Sequence, residues 1–104
     1  MIELNDSNFK EEIANRKMVL VDFYATWCGP CQMQAEVLDR LSTSRSLACD
    51  IAKVNVDNAI EISSEYKIDS IPTLMIFVDN KLVKKIVGLT GEEEIINIIE
   101  EVKG

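Results

Sequence analysis

Residues 18–25 read MVLVDFYA, an almost continuous apolar run of the length of one strand. A half-buried strand alternates apolar and polar residues, whereas an unbroken run fits a strand covered on both faces. The chain must then supply a layer on each side of a sheet. Within 104 residues that means one α/β domain spanning 1–104, long enough to bury a core without staples. One residue does not fit. Asp22 sits inside the run, where a carboxylate is poorly suited to a buried strand.

The rest of the chain supplies the layers. IEL at 2–4 reads as a short edge strand. SNFKEEIANR (7–16) sets Phe9 and Ile13 at helical spacing. After the cysteine pair, Cys31, Ala35, Leu38 and Leu41 share one helical face, with Pro30 in the first turn, where its missing N–H costs nothing. CDIAKVNVD (49–57) reads as a second central strand, and NAIEISSEYKI (58–68) as a helix with Ile62 and Tyr66 four apart. Thr73–Val78 and Lys81–Val87 are strand-like, with Asp79-Asn80 as a two-residue hairpin turn. TGEEEIINIIEEVKG (90–104) is a helix: Thr90 and Glu93 match a capping box, and the acids after Gly91 suit the helix dipole. Ile95, Ile98, Ile99 and Val102 form its buried stripe. The order is βαβαβαββα, a central mixed β-sheet flanked by helices on both faces.

Hydrophobic residues make up 47% and charged residues 28%, a globular balance. Net charge is −7, and acids outnumber bases in both halves of the chain. With no basic block to grip phosphates, no nucleic-acid partner is expected on electrostatic grounds. The start, MIELNDSNFKEE, has acids and no apolar h-region. No apolar run approaches the roughly 20 residues that cross a bilayer, so no membrane association is expected. The expected location is cytoplasmic. A compartment that keeps thiols reduced makes a cysteine pair reactive or metal-binding rather than structural.

Cys28 and Cys31, separated by Gly29 and Pro30, lie where the buried strand meets a helix. A helix N-terminus offers unpaired N–H groups and partial positive charge, which favour a thiolate over a thiol. Cys31 is one turn along, within reach of the Cys28 sulfur, so the pair can cycle between dithiol and disulfide. Cys28, nearer the helix end and more exposed, is the expected nucleophile and Cys31 the resolving thiol. Gly29 gives access and Pro30 limits flexibility. The competing reading is half of a zinc site, but zinc wants four N or S ligands and the chain has three cysteines and no histidine. No metal is expected. Cys49 reads as a small, partly buried hydrophobe, with a regulatory or dimer-forming thiol as the alternative.

VDFYATWCGPC (21–31), followed by IPT (71–73) and GLTGEEEI (88–95), resembles the thioredoxin family, and element order and spacing extend the likeness nearly end to end. The resemblance implies the thioredoxin fold and a thiol–disulfide oxidoreductase. Cys28 and Cys31 would be its redox-active disulfide, with no other cofactor. It places Trp27, Gly29, Pro30, Ile71, Thr73 and Gly88 on the substrate-binding surface. Pro72 matches a cis-proline facing the cysteines; without the likeness, a trans turn proline would be favoured. The backbone at Ile71 would pair with an extended substrate segment. Gly88 alone reads equally as a strand-end or bulge glycine. Asp22 has two readings: it points to the surface or pairs with Lys53, or it lies beneath the cysteines and exchanges a proton with Cys31. The family's matching aspartate does the latter, with a lysine like Lys53 tuning it.

The chain departs from the family at four places. Tyr24 stands where many members have a second tryptophan. Gln32 replaces a basic residue after the second cysteine. Glu36 replaces a helix-kinking proline, and Asp69 a glycine. These bear on partner choice rather than on sulfur chemistry. The expected partners are protein disulfide substrates and a thioredoxin reductase, since no Gly-x-Gly-x-x-Gly binds a nicotinamide or flavin here. A monomer is expected. Two other functions remain open on sequence: a disulfide oxidase or isomerase, and a subunit whose cysteines are incidental.

Overall fold

The computed structural model describes residues 1–44 and 47–103. In chain order they form β1 (Ile2–Leu4), α1 (Phe9–Ala14), β2 (Met18–Tyr24), α2 (Gly29–Ser42), β3 (Asp50–Asn55), α3 (Ile60–Glu65), β4 (Thr73–Val78), β5 (Lys81–Val87) and α4 (Glu92–Lys103). This is the expected order. Gly104, the last residue of the expected helix and of the expected domain, lies outside the described residues, as do Arg45 and Ser46 within that domain.

The five strands form one sheet in the order β1-β3-β2-β4-β5. β2 pairs parallel with β3 and antiparallel with β4, so its backbone is hydrogen-bonded on both edges. Its side chains alternate between two cores, as the strand period of two requires. Val19, Val21 and Phe23 join Phe9, Ile13, Val54, Ile62, Met75 and Phe77 under α1 and α3. Met18 and Leu20 join Leu38, Leu41, Ile51, Leu74, Ile95 and Ile99 under α2 and α4. Two covered faces explain why the run is apolar at nearly every position. The same alternation puts Asp22, two residues past Leu20, on the face that α2 and α4 cover.

The hairpin follows its turn residues. Asp79 and Asn80 both take positive φ, 50° and 68°, the left-handed pair that a tight two-residue turn needs and that Asn and Asp tolerate. α4 begins differently from expectation. The Thr90 hydroxyl donates to the Gly88 carbonyl at 3.1 Å, and Ile95 N–H closes the first turn on the Gly91 carbonyl. The Ile95–Gly91 bond makes Gly91 the cap residue and leaves Thr90 one position outside the helix, so a Thr90–Glu93 capping box does not start it.

Candidate active site

The chain leaves β2 at Tyr24 and enters α2 at Gly29, which carries Cys28 to the N-cap. Cys28 and Cys31 form a disulfide with their Cα atoms 5.2 Å apart. The Cys31 backbone N–H donates to Cys28 Sγ at 3.2 Å. A helix-terminal donor therefore already points at the sulfur that would carry charge when reduced. α2 has no acid in its first turn to cancel that field, whereas α4 has Glu92, Glu93 and Glu94 in its own. Both cysteines are buried, Cys28 at 6% and Cys31 at 3% exposed.

The loop before β4 faces this disulfide. The Ile71 carbonyl lies 4.0 Å from Cys28 Sγ, and the Ile71–Pro72 bond is cis. The Pro72 carbonyl accepts from Gly88 N–H at 2.8 Å, which brings the end of β5 to the same surface. Gly88 has φ +99°, a conformation that favours glycine. Trp27 is 70% exposed, and its indole N–H donates to Asp57 at 2.8 Å, fixing the ring at the rim. Gly29 and Pro30 are exposed, and a side chain at Gly29 would meet open space. Thr73 is buried, and its hydroxyl donates to the Ser70 carbonyl at 2.6 Å, closing the loop from below. A shallow depression of about 160 Å³ between Trp27, Val56, Asp69 and Ile71 adjoins the disulfide. A second, of about 260 Å³, is lined by Cys31, Tyr24 and Gln32.

Asp22 is 2% exposed, and its Oδ1 has no hydrogen-bond partner. Burial pushes its carboxyl up to about 7, against a smaller downward pull from the Lys53 cation. The surface reading of Asp22 therefore fails. Simple pairing with Lys53 fails as well, because Lys53 Nζ pairs with Glu3 at 3.7 Å. Lys53 faces Asp22 across the β2–β3 ladder and acts on it as a neighbouring charge.

Gln34 is a site-supporting residue that the sequence reading misses. It is fully buried, accepting from Thr90 N–H at 2.8 Å and donating to the Thr90 carbonyl at 3.0 Å. This pair of hydrogen bonds ties α2 to the loop that carries Gly88. The available signal is its place in the stripe Cys31, Gln34, Leu38, Leu41, where Ala35 is the expected inward residue.

Cys49 lies half-buried against the core under α2 and α4. Burial pushes its thiol up to about 12, which leaves almost no thiolate at neutral pH. In the reduced native protein a disulfide dye should therefore titrate Cys28 quickly and Cys49 only after unfolding. Equal labelling of Cys49 in the native state would refute its assignment as inert. Among the described residues, no group of three or more His, Cys, Asp or Glu side chains could hold a metal ion.

A disulfide that caps the helix leaving a central strand, under a cis-proline loop, defines a thiol–disulfide oxidoreductase of the thioredoxin fold. Comparison with known proteins agrees. The thioredoxin family model matches residues 1–101. A thioredoxin from Mycobacterium bovis is 40% identical over 102 residues, covering 97% of this chain and 88% of the relative. A bifunctional thioredoxin reductase/thioredoxin from Mycobacterium leprae is 38% identical over 97% of this chain, which spans 22% of that protein. The structure of a single-site mutant of a thioredoxin from Halobacterium salinarum superimposes with a TM-score of 0.88 at 33% identity, over 96% of this chain and 88% of that one. The chain belongs to the thioredoxin family, and its redox-active group is the Cys28–Cys31 disulfide.

Proposed function

We propose that the chain works as a monomeric, cytoplasmic reductant of protein disulfides, folded as one domain over 1–104 and recharged by a separate thioredoxin reductase. The observation that carries the reading is the Cys31 N–H aimed at Cys28 Sγ from the helix N-terminus. Reduced Cys28, as thiolate, attacks one sulfur of a target disulfide. A Cys28–target bond forms, and the first target thiolate leaves. Cys31 then gives its proton to the Asp22 carboxylate and attacks Cys28 Sγ. The mixed disulfide breaks, the second target thiolate leaves and takes up a proton, and two electrons have passed to the target.

Asp22 suits the acceptor role because its buried carboxyl, at about 7, is matched to neutral working pH. Lys53 keeps it from rising further. Trp27, Gly29, Pro30, Ile71 and Gly88 form the surface that receives the target, with Pro72 and Thr73 shaping it from beneath. The fused domain in the Mycobacterium leprae relative, whose name joins a thioredoxin to a thioredoxin reductase, supports that kind of electron donor. No helix of the described residues is long and apolar enough to cross a membrane.

The deciding measurement is the reduction potential of the Cys28–Cys31 couple in a defined thiol–disulfide buffer. The expected value lies below the cytosolic glutathione poise of roughly −220 to −260 mV, so that electrons flow from this protein to its targets. A value above that poise would make it a donor of disulfides and overturn the reductant reading.

A further inference from the structure

Glu3, Lys53 and Asp22 stand side by side. β1 pairs with β3 in the register Glu3↔Lys53, and β3 pairs with β2 in the register Lys53↔Asp22. Successive strands lie about 4.8 Å apart, so the three residues form one charged row across three strands. Ile2 packs against the core under α1 and α3, as does Leu4, which turns Glu3 to the other face, shared with Asp22. One cation thus stands between two carboxylates, and it goes to the outer one. Lys53 Nζ lies 3.7 Å from Glu3 Oε1, with side chains 36% and 50% exposed. There the ammonium stays hydrated, which a move onto Asp22 would forfeit.

Tyr24 completes the outer cluster. Its hydroxyl donates to Glu3 at 3.3 Å, and Lys53 Nζ sits 5.6 Å from the centre of its ring, within cation–π range. Two contacts from Tyr24, its hydroxyl on Glu3 and its ring under Lys53, therefore converge on the Glu3–Lys53 pair.

We propose that Glu3 is a positioning residue for the redox step: its carboxylate holds the Lys53 ammonium at the outer end of the row and so limits how strongly that cation acts on buried Asp22. The consequence for the reaction rests on Asp22 as the proton acceptor for Cys31. Few other groups compete. β4 presents Leu74 opposite Asp22. The buried residues of α2 are Cys31, Gln34, Leu38 and Leu41, and those of α4 are Ile95 and Ile99; none of them titrates while Cys31 is held in the disulfide. On β2 itself the neighbouring titratable group is Tyr24, whose hydroxyl is held above its usual range by burial and by Glu3.

Glu3→Gln removes the tether and one negative charge, and both changes favour ionised Asp22. The test is the carbon-13 titration of the Asp22 carboxyl in the oxidised protein. Its midpoint should fall by roughly half a pH unit, the scale of a partly exposed pair. In a Lys53→Gln background the Glu3→Gln shift should shrink, since the effect runs mainly through the cation. A midpoint unmoved by Glu3→Gln, or a shift of equal size without Lys53, overturns the proposal. The pH profile of mixed-disulfide resolution separates the two readings. If the carboxyl midpoint moves and the rate profile does not, Glu3 governs Asp22 but Asp22 is not the acceptor. If both move together, both stand.

Discussion

A Cys31→Ser protein will capture target disulfides and hold them, whereas a Cys28→Ser protein will capture none. The asymmetry follows from where α2 starts. Cys28 is the N-cap, and its sulfur accepts the Cys31 backbone N–H at 3.2 Å. That donor belongs to the main chain, so it survives replacement of the Cys31 side chain. Cys28 in the Cys31→Ser protein still has the helix end, with no acid in the first turn, to favour its thiolate. The first displacement should therefore run normally. The second cannot, because a hydroxyl does not displace a thiolate from sulfur, and Cys49 is no substitute with its thiol pushed up to about 12. Intact-mass measurement after mixing with a disulfide target should show one target per chain, released by added dithiol. Steady-state reduction should drop to the rate of the bare reductant for both variants. Sustained turnover by Cys31→Ser would place the resolving thiol elsewhere and break the assignment of roles.

What was legible in the sequence was whatever depends on neighbours along the chain. The doubly covered strand, the Asp79-Asn80 turn and the Cys28–Cys31 spacing each signal locally, and each appears in the structure. The misfit of Asp22 was visible too, but its direction was not. That depended on the period of β2 being anchored by Leu20 against α2 and α4. The start of α4 misled because the first helical turn closes on Gly91 rather than on Thr90, one residue later than the capping box requires. Gln34 and Glu3 were hidden for a different reason. Gln34 is satisfied by a backbone 56 residues away, and the Glu3 row exists only once β1 and β2 flank β3 in a particular register. A polar residue in a helical stripe or a short edge strand does not announce such partners.

Asparagine in place of Asp22 should stabilise the oxidised protein at pH 8 by about 2–4 kcal/mol and by almost nothing near pH 4. In the unfolded chain this carboxyl loses its proton near 3.8, and in the folded protein near 7. Its folded value is raised, so between those two pH values the unfolded state binds fewer protons and stability falls as pH rises. At about 1.4 kcal/mol per pH unit, the interval of roughly three units sets a ceiling of about 4 kcal/mol. Asparagine keeps the shape and the buried polar character, so what it removes is mainly the ionisation. The gain should grow from pH 4, level off above pH 7, and appear in urea unfolding as a shifted midpoint with an unchanged slope. Working in the oxidised state keeps Cys28 and Cys31 out of the titration. A gain independent of pH would mean that Asp22 ionises in the fold as it does in the open chain, and its fitness to take a proton at neutral pH would go with it. The same burial thus has two effects. It withdraws stability at the pH where the protein works, and it leaves an acid that can exchange a proton there. A buried carboxylate with an unpartnered oxygen, on the sheet face that α2 covers, is a cost to the core that the proposed proton exchange with Cys31 would account for.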